Sequence, residues 1–197
     1  DDPAPYDRLL GPVSARGACS GLVTIAGREL AQWGEPDRGD LTFSVAKTYL
    51  ALLAGVAFDR GLMRDVDEAV ARRGPGIGFE GQHNGAVTWA QLLTQTSEWE
   101  GSCFGLPDTV DRYRHVSSDP RAPTGSKGDA RPLQPPGTYW EYNDVRINQL
   151  SLALLHLFKR PLPEAFLESV LNPIGGGGDF RWEGYDEALL LYVLGLG

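Results

Sequence analysis

The chain has 197 residues, 42% of them hydrophobic, a net charge of −8 and a pI near 4.9. That is apolar material for one large domain or two small ones, which excludes a disordered chain. The acidic balance without any Lys/Arg-rich run argues against a nucleic-acid partner. No apolar run reaches the roughly 18 residues of a membrane span, so no membrane partner is expected and the protein reads as soluble.

The N-terminus, Asp1-Asp2-Pro3-Ala4-Pro5, lacks the basic and apolar regions of a signal peptide, which leaves the compartment open. Gly21 to Gly27 and Arg28 to Gly34 read as two short strands joined at Gly27-Arg28. A Pro36-Asp37-Arg38-Gly39 turn follows, so this hairpin delivers the chain to the next helix.

That helix opens at Thr42-Phe43-Ser44, and Val45, Tyr49, Leu52, Leu53 and Val56 recur at helical spacing until Asp59-Arg60-Gly61 stops it. It is apolar nearly all round, which predicts burial. Ser44 and Lys47 form a Ser-x-x-Lys motif in its first turn, and residues three apart on a helix are neighbours. The positive end of the helix dipole disfavours the ammonium form of Lys47 and stabilises an anion at Ser44, and burial would act on Lys47 in the same sense. A neutral Lys47 could then take the Ser44 proton. The competing reading is an ordinary serine N-cap with a surface lysine, although a lysine on a buried helix needs a reason.

Leu62 to Val70 reads as a connection broken at Gly74-Pro75-Gly76, and Thr88 is an N-cap candidate for the helix that starts at Trp89. The Ser/Pro/Gly/Asp-rich stretch from Ser117 to Pro136 predicts a lid-like loop. Val145 to Phe158 is a helix closed by Lys159-Arg160-Pro161, and another covers Glu164 to Leu171. Gly175 to Gly178 has the character of a flexible linker. Cys19 and Cys103 lie far apart, and His83, His115 and His156 are scattered, which argues against a zinc site and favours two free thiols over a disulfide. No metal or cofactor is called for.

Three blocks resemble the serine β-lactamase-like hydrolases, in the branch holding class C β-lactamases, D-Ala-D-Ala peptidases (penicillin-binding-protein-like enzymes), carboxylesterases and nylon-oligomer hydrolases. Phe43-Ser44-Val45-Ala46-Lys47 is similar to the family's nucleophile motif. Thr88 to Ser97 is similar to its "LLTHTSG" helix and turn, with Glu98-Trp99-Glu100-Gly101 in place of the simple glycine. Pro136-Gly137-Thr138 through Tyr142-Asn143-Asp144 resembles the block ending in its Tyr-x-Asn motif, and Leu171-Asn172-Pro173-Ile174-Gly175 its "PLG" turn. The likeness spans roughly residues 20 to 185.

The resemblance implies that Tyr142 is the second catalytic group, sharing proton transfer with Lys47; the alternative is a Tyr139/Trp140/Tyr142 aromatic cluster packing the loop. Asp144 stands where the family has Asn. A carboxylate can only accept, so it would favour a charged Lys47; Asn143 could fill the amide's role instead, and Asp144 could also cap the helix that follows. The family also finishes with strands carrying a Lys-Thr-Gly or His-x-Gly motif that donates one oxyanion N–H. This chain has no such segment, so it is expected to be a family member lacking its C-terminal part, whether a natural fragment, an engineered version or a partial chain. Losing one oxyanion donor typically costs about a hundred- to a thousandfold in turnover.

The expected fold is α+β and β-lactamase/transpeptidase-like, with an antiparallel sheet flanked by helices, truncated at the C-terminus. Residues 1–61 and 173–197 form the sheet-containing part and 62–172 the helical subdomain. The expected function is hydrolysis of a small-molecule ester or amide, carboxylesterase-like, through a Ser44 acyl-enzyme with Lys47 and Tyr142 moving protons. Asp144, Asn143, Trp99 and Trp182 are the expected substrate-binding residues, with Trp99, Trp140 and Trp182 lining an acyl pocket or else belonging to the core. The alternative is a non-catalytic or incomplete family fragment that binds a ligand, or that works as a homo-oligomer or with a complementing chain.

Overall fold

The computed structural model describes residues 17–74, 76–116, 119–122, 124–176 and 180–182. These fall into two compact units divided between Leu41 and Thr42, so the Ser44 helix lies in the unit that contains the other helices.

In the first unit, β1 (Gly21–Ile25) pairs antiparallel with β2 (Arg28–Trp33), Gly21 opposite Trp33 and Ile25 opposite Arg28. The reversal is a two-residue turn at Ala26-Gly27, one position earlier than expected. Both residues have positive φ, +49° and +76°, the twist a tight hairpin needs, and Gly27 takes it without steric cost. After Gly34, Arg38 gathers Glu35, Asp40 and the Ala18 carbonyl around its guanidinium.

The second unit opens with a 3₁₀ turn over Phe43–Val45 that runs into α1 (Ala46–Asp59). Here one expectation is corrected: α1 buries a stripe and not its whole circumference. Leu50, Leu53, Ala54 and Ala57, spaced for one helix face, are buried, while Val45, Leu52 and Phe58 stay about half exposed. The stripe packs on α4 (Asp144–Phe158) and α5 (Leu162–Phe166), where Leu150, Ala153, Leu154, Ala165 and Phe166 complete the core. Each large side chain removed from water there contributes roughly 1.5–3 kcal/mol.

Between α1 and α4 the chain forms α2 (Gly81–Asn84) and α3 (Trp89–Leu93). Thr88 caps α3 as expected: its hydroxyl accepts from Gln91 N–H while the Gln91 side chain accepts from Thr88 N–H, a capping box. A second, minimal antiparallel pair, β3 (Ser102–Cys103) with β4 (Leu106–Pro107), turns at Phe104-Gly105. α4 begins one residue earlier than expected, because Asn143 and not Asp144 is its cap, accepting from Arg146 N–H. The helix expected over Glu164 to Leu171 also starts early, at Leu162, where Pro161 ends the preceding loop, and it relaxes into a wider turn over Leu167–Leu171.

Inside this unit lies a buried ionic cluster that periodicity gave no sign of. Glu98 is fully buried and holds Arg131 at 2.6 Å and Arg146 at 2.8 Å; Glu141 takes the same two arginines, and Asp108 ties Arg146 to Arg112. Arginine's planar fork lets each guanidinium serve several acceptors, which is how so many charges stay buried together. The cluster pins the 95–98 turn, the loop around Arg131 and the residues before α4 to one another. Cys19 is an exposed free thiol and Cys103 a buried one. Among the described residues no helix is long and apolar enough to cross a membrane.

Candidate active site

Ser44 sits in the 3₁₀ turn leading into α1, on the exposed surface. The preceding Phe43 has φ +47°, a left-handed conformation that costs a bulky residue free energy, so this turn is strained immediately before the serine. One turn on, Lys47 Nζ donates to Ser44 Oγ at 3.2 Å, the contact its spacing predicts.

Tyr142 comes from the segment before α4 and its hydroxyl donates to Ser44 Oγ at 2.8 Å across 98 residues of sequence. Its neighbours face the interior: Glu141 and Asn143 are buried. Gln95 brackets the three, its backbone carbonyl accepting from Glu141 N–H and its side-chain Oε1 from Asn143 N–H, both at 3.1 Å. Gln95 itself is left-handed, φ +62°, which aims both acceptors at the same strand of chain. Tyr139 and Trp140 do not join Tyr142 in a cluster; both face Arg121, at 4.4 and 5.6 Å from ring centre to guanidinium.

Lys47 Nζ lies 2.7 Å from Asp144 Oδ1, and Arg114 Nη1 lies 2.5 Å from Oδ2. Burial works to lower the Lys47 pKa, but hydrogen bonds to Asp144 and Tyr142 outweigh it and hold the amine above its ordinary value. The expectation of a lysine neutralised by dipole and desolvation is therefore reversed: the partner carboxylate keeps it an ammonium, as a carboxylate at this position should. Asp144 is the mirror case, burial pushing its pKa up and Lys47 and Arg114 bringing it below the usual range.

The other expected binding residues are placed differently. Asn143 is fully buried; its amide N–H₂ donates to the Asp108 carbonyl and its Oδ1 caps α4, so its polar atoms are committed to the fold. Trp99 is a core residue with its indole N–H on the Gly78 carbonyl at 2.7 Å. Trp182 packs edge-on against Phe166 and Phe180 beside Tyr49. Sequence reasoning missed Gln95, Arg114, Asp111 and Lys127. The one signal that could have raised the search is Asp144 itself, a carboxylate needing more than one cation beside a serine. Among the described residues no group of three or more His, Cys, Asp or Glu is disposed to hold a metal ion.

A serine hydroxyl in contact with both a lysine amine and a tyrosine hydroxyl is equipped for nucleophilic attack with proton transfer close at hand. Neither a curated protein nor a solved structure matches the chain. A family model described as Beta-lactamase matches residues 40–185, which contains Ser44, Lys47, Tyr142 and Asp144 and leaves out the hairpin. With most of its length matched, the chain belongs to the beta-lactamase family, a family of serine hydrolases.

Proposed function

We propose that the protein hydrolyses a small ester or amide, carboxylesterase-like, through an acyl-enzyme on Ser44. The observation that carries this reading is the pair of hydrogen bonds converging on Ser44 Oγ, from Tyr142 at 2.8 Å and Lys47 at 3.2 Å. An ammonium has no lone pair to accept a proton, so the accepting role falls to the Tyr142 oxygen as a phenolate, its own proton having passed to solvent, with Lys47 beside it as counter-charge. Ser44 Oγ adds to the carbonyl carbon as its proton passes to the Tyr142 phenolate, which becomes the neutral phenol. The tetrahedral intermediate collapses, the leaving group takes that proton, and water then cleaves the acyl–Ser44 ester. The Ser44 backbone N–H, in the turn that leads into α1, is the proposed donor to the developing oxyanion. Activated esters such as p-nitrophenyl acetate or butyrate demand least of such a site.

Exposure to a fluorophosphonate probe followed by intact-protein mass spectrometry, with Ser44→Ala beside it, tests the reading. A single adduct that disappears in the variant supports an activated Ser44. No adduct on well-folded protein overturns it in favour of a ligand-binding family member without turnover.

A further inference from the structure

A carboxylate next to a lysine that serves a serine has a cost: it spends the positive charge that would otherwise favour an anion at the site. The residues around Asp144 answer this. Arg114 Nη1 reaches Asp144 Oδ2 at 2.5 Å and Asp111 Oδ1 at 3.3 Å, and its guanidinium lies over the Tyr142 ring, 4.7 Å from the centroid. Lys47 Nζ takes the other Asp144 oxygen and sits 4.8 Å from the same ring centre. One phenol is thus flanked by two cations that divide a single carboxylate between them.

The remaining groups complete the count. Asp111, from the 3₁₀ turn after β4, also accepts from Asp144 N–H at 2.9 Å and pairs with Lys127 at 3.1 Å. The charged groups are therefore Lys47 from α1, Asp144 from the start of α4, Asp111, and Arg114 and Lys127 from the following loop: three cations against two carboxylates. With the phenol neutral the cluster carries one surplus positive charge, and it balances when Tyr142 holds an anion. Without Arg114 the cluster balances with the phenol neutral, and the anion has no counter-charge.

We propose that Arg114 is a positioning residue for Ser44 chemistry: it turns Asp144 so that one oxygen faces Lys47, and it supplies the surplus charge that lets Tyr142 act as proton acceptor despite a carboxylate in place of the family's asparagine. This rests on the reading of Ser44 as nucleophile. It gives the loop carrying Arg114 a part in catalysis without touching substrate.

The experiment is the pH dependence of kcat/KM for p-nitrophenyl butyrate, with fluorophosphonate labelling of the wild type run in parallel. Arg114→Gln is expected to move the acidic limb upward by about half a pH unit or more and to slow turnover at neutral pH about three- to tenfold. Arg114→Lys keeps the charge and holds the limb in place. Asp144→Asn followed by Asp144→Asn/Arg114→Gln reads the same coupling from the other side: removing Arg114 after its partner returns the surplus to one charge and brings the limb back towards the wild-type position. This pair also serves if Arg114→Gln alone does not fold. A labelled wild type whose profile superimposes on that of Arg114→Gln overturns the inference alone, as does a uniform loss of rate with the limb unmoved. A wild type that is not labelled overturns the Ser44 reading and this inference with it.

Discussion

Lys47 and Asp144 form a 2.7 Å ion pair directly beside the Ser44 hydroxyl. The pair decides which of the two groups touching Ser44 can accept its proton, because a lysine held as an ammonium can only donate. In the proposed mechanism the site therefore depends on the tyrosine for proton transfer and on the lysine for charge.

Tyr142→Phe removes the proposed acceptor while leaving the ring beside its two cations. Acylation by p-nitrophenyl butyrate is expected to slow by about a hundred- to ten-thousandfold, read from pre-steady-state release of nitrophenol. A variant within a factor of two of the wild type would return the base role to Lys47.

The same ion pair links stability to pH. The folded pKa of Asp144 lies below its ordinary 3.8, so its contribution is present above that value and is lost as the pH falls through the folded one. The Lys47 pKa lies above 10.5, so its contribution is complete below that value and is lost as the pH rises through the folded one. The difference in Tm between wild type and Asp144→Asn should be widest between about pH 4 and 10 and should narrow at both ends. A difference that persists unchanged in strong acid would show that the carboxylate's charge is not what matters.

Arg146 is 1% exposed and bonded to Glu98, Asp108 and the Trp99 carbonyl. Replacing it with Met leaves three buried carboxylates, Glu98, Glu141 and Asp108, to share only Arg131 and Arg112, a change expected to cost about 3–5 kcal/mol in urea unfolding. A loss under about 1 kcal/mol would mean that water enters the cluster freely.

The two cysteines should differ in reactivity. Burial pushes the Cys103 thiol up to about 12, whereas Cys19 is exposed. Iodoacetamide at neutral pH is expected to add one carbamidomethyl group to native protein and two after denaturation, counted by intact mass. Two additions to the native protein would contradict the burial of Cys103.

Much of the site was legible because its central pair is local. Ser44 and Lys47 lie within one helical turn, so spacing alone brings them together, and Thr88 announced its helix by the same short-range logic. Tyr142 reached the list through resemblance, since no periodicity links it to a serine 98 residues away. Arg114 had neither aid. It meets Asp144 across 30 residues and through the packing of a loop on a helix start, and an arginine in the polar run Asp111-Arg112-Tyr113-Arg114-His115 looks like any solvated charge. The half-exposed faces of α1 were misread for a related reason: its composition is apolar all round, but which side is covered depends on where α4 and α5 lie. Asn143 and Trp99 were expected at the site from motif position, and both are spent on the architecture that holds it.

The bracket at Gln95 has a thermodynamic consequence. Because one residue fixes the backbone on both sides of Tyr142, the main chain that carries the phenol cannot move away from Ser44 without withdrawing Glu141 and Asn143 from the interior. The entropy lost in bringing a tyrosine to a serine from across the chain is surrendered once, when the protein folds, and is not demanded again at each turnover.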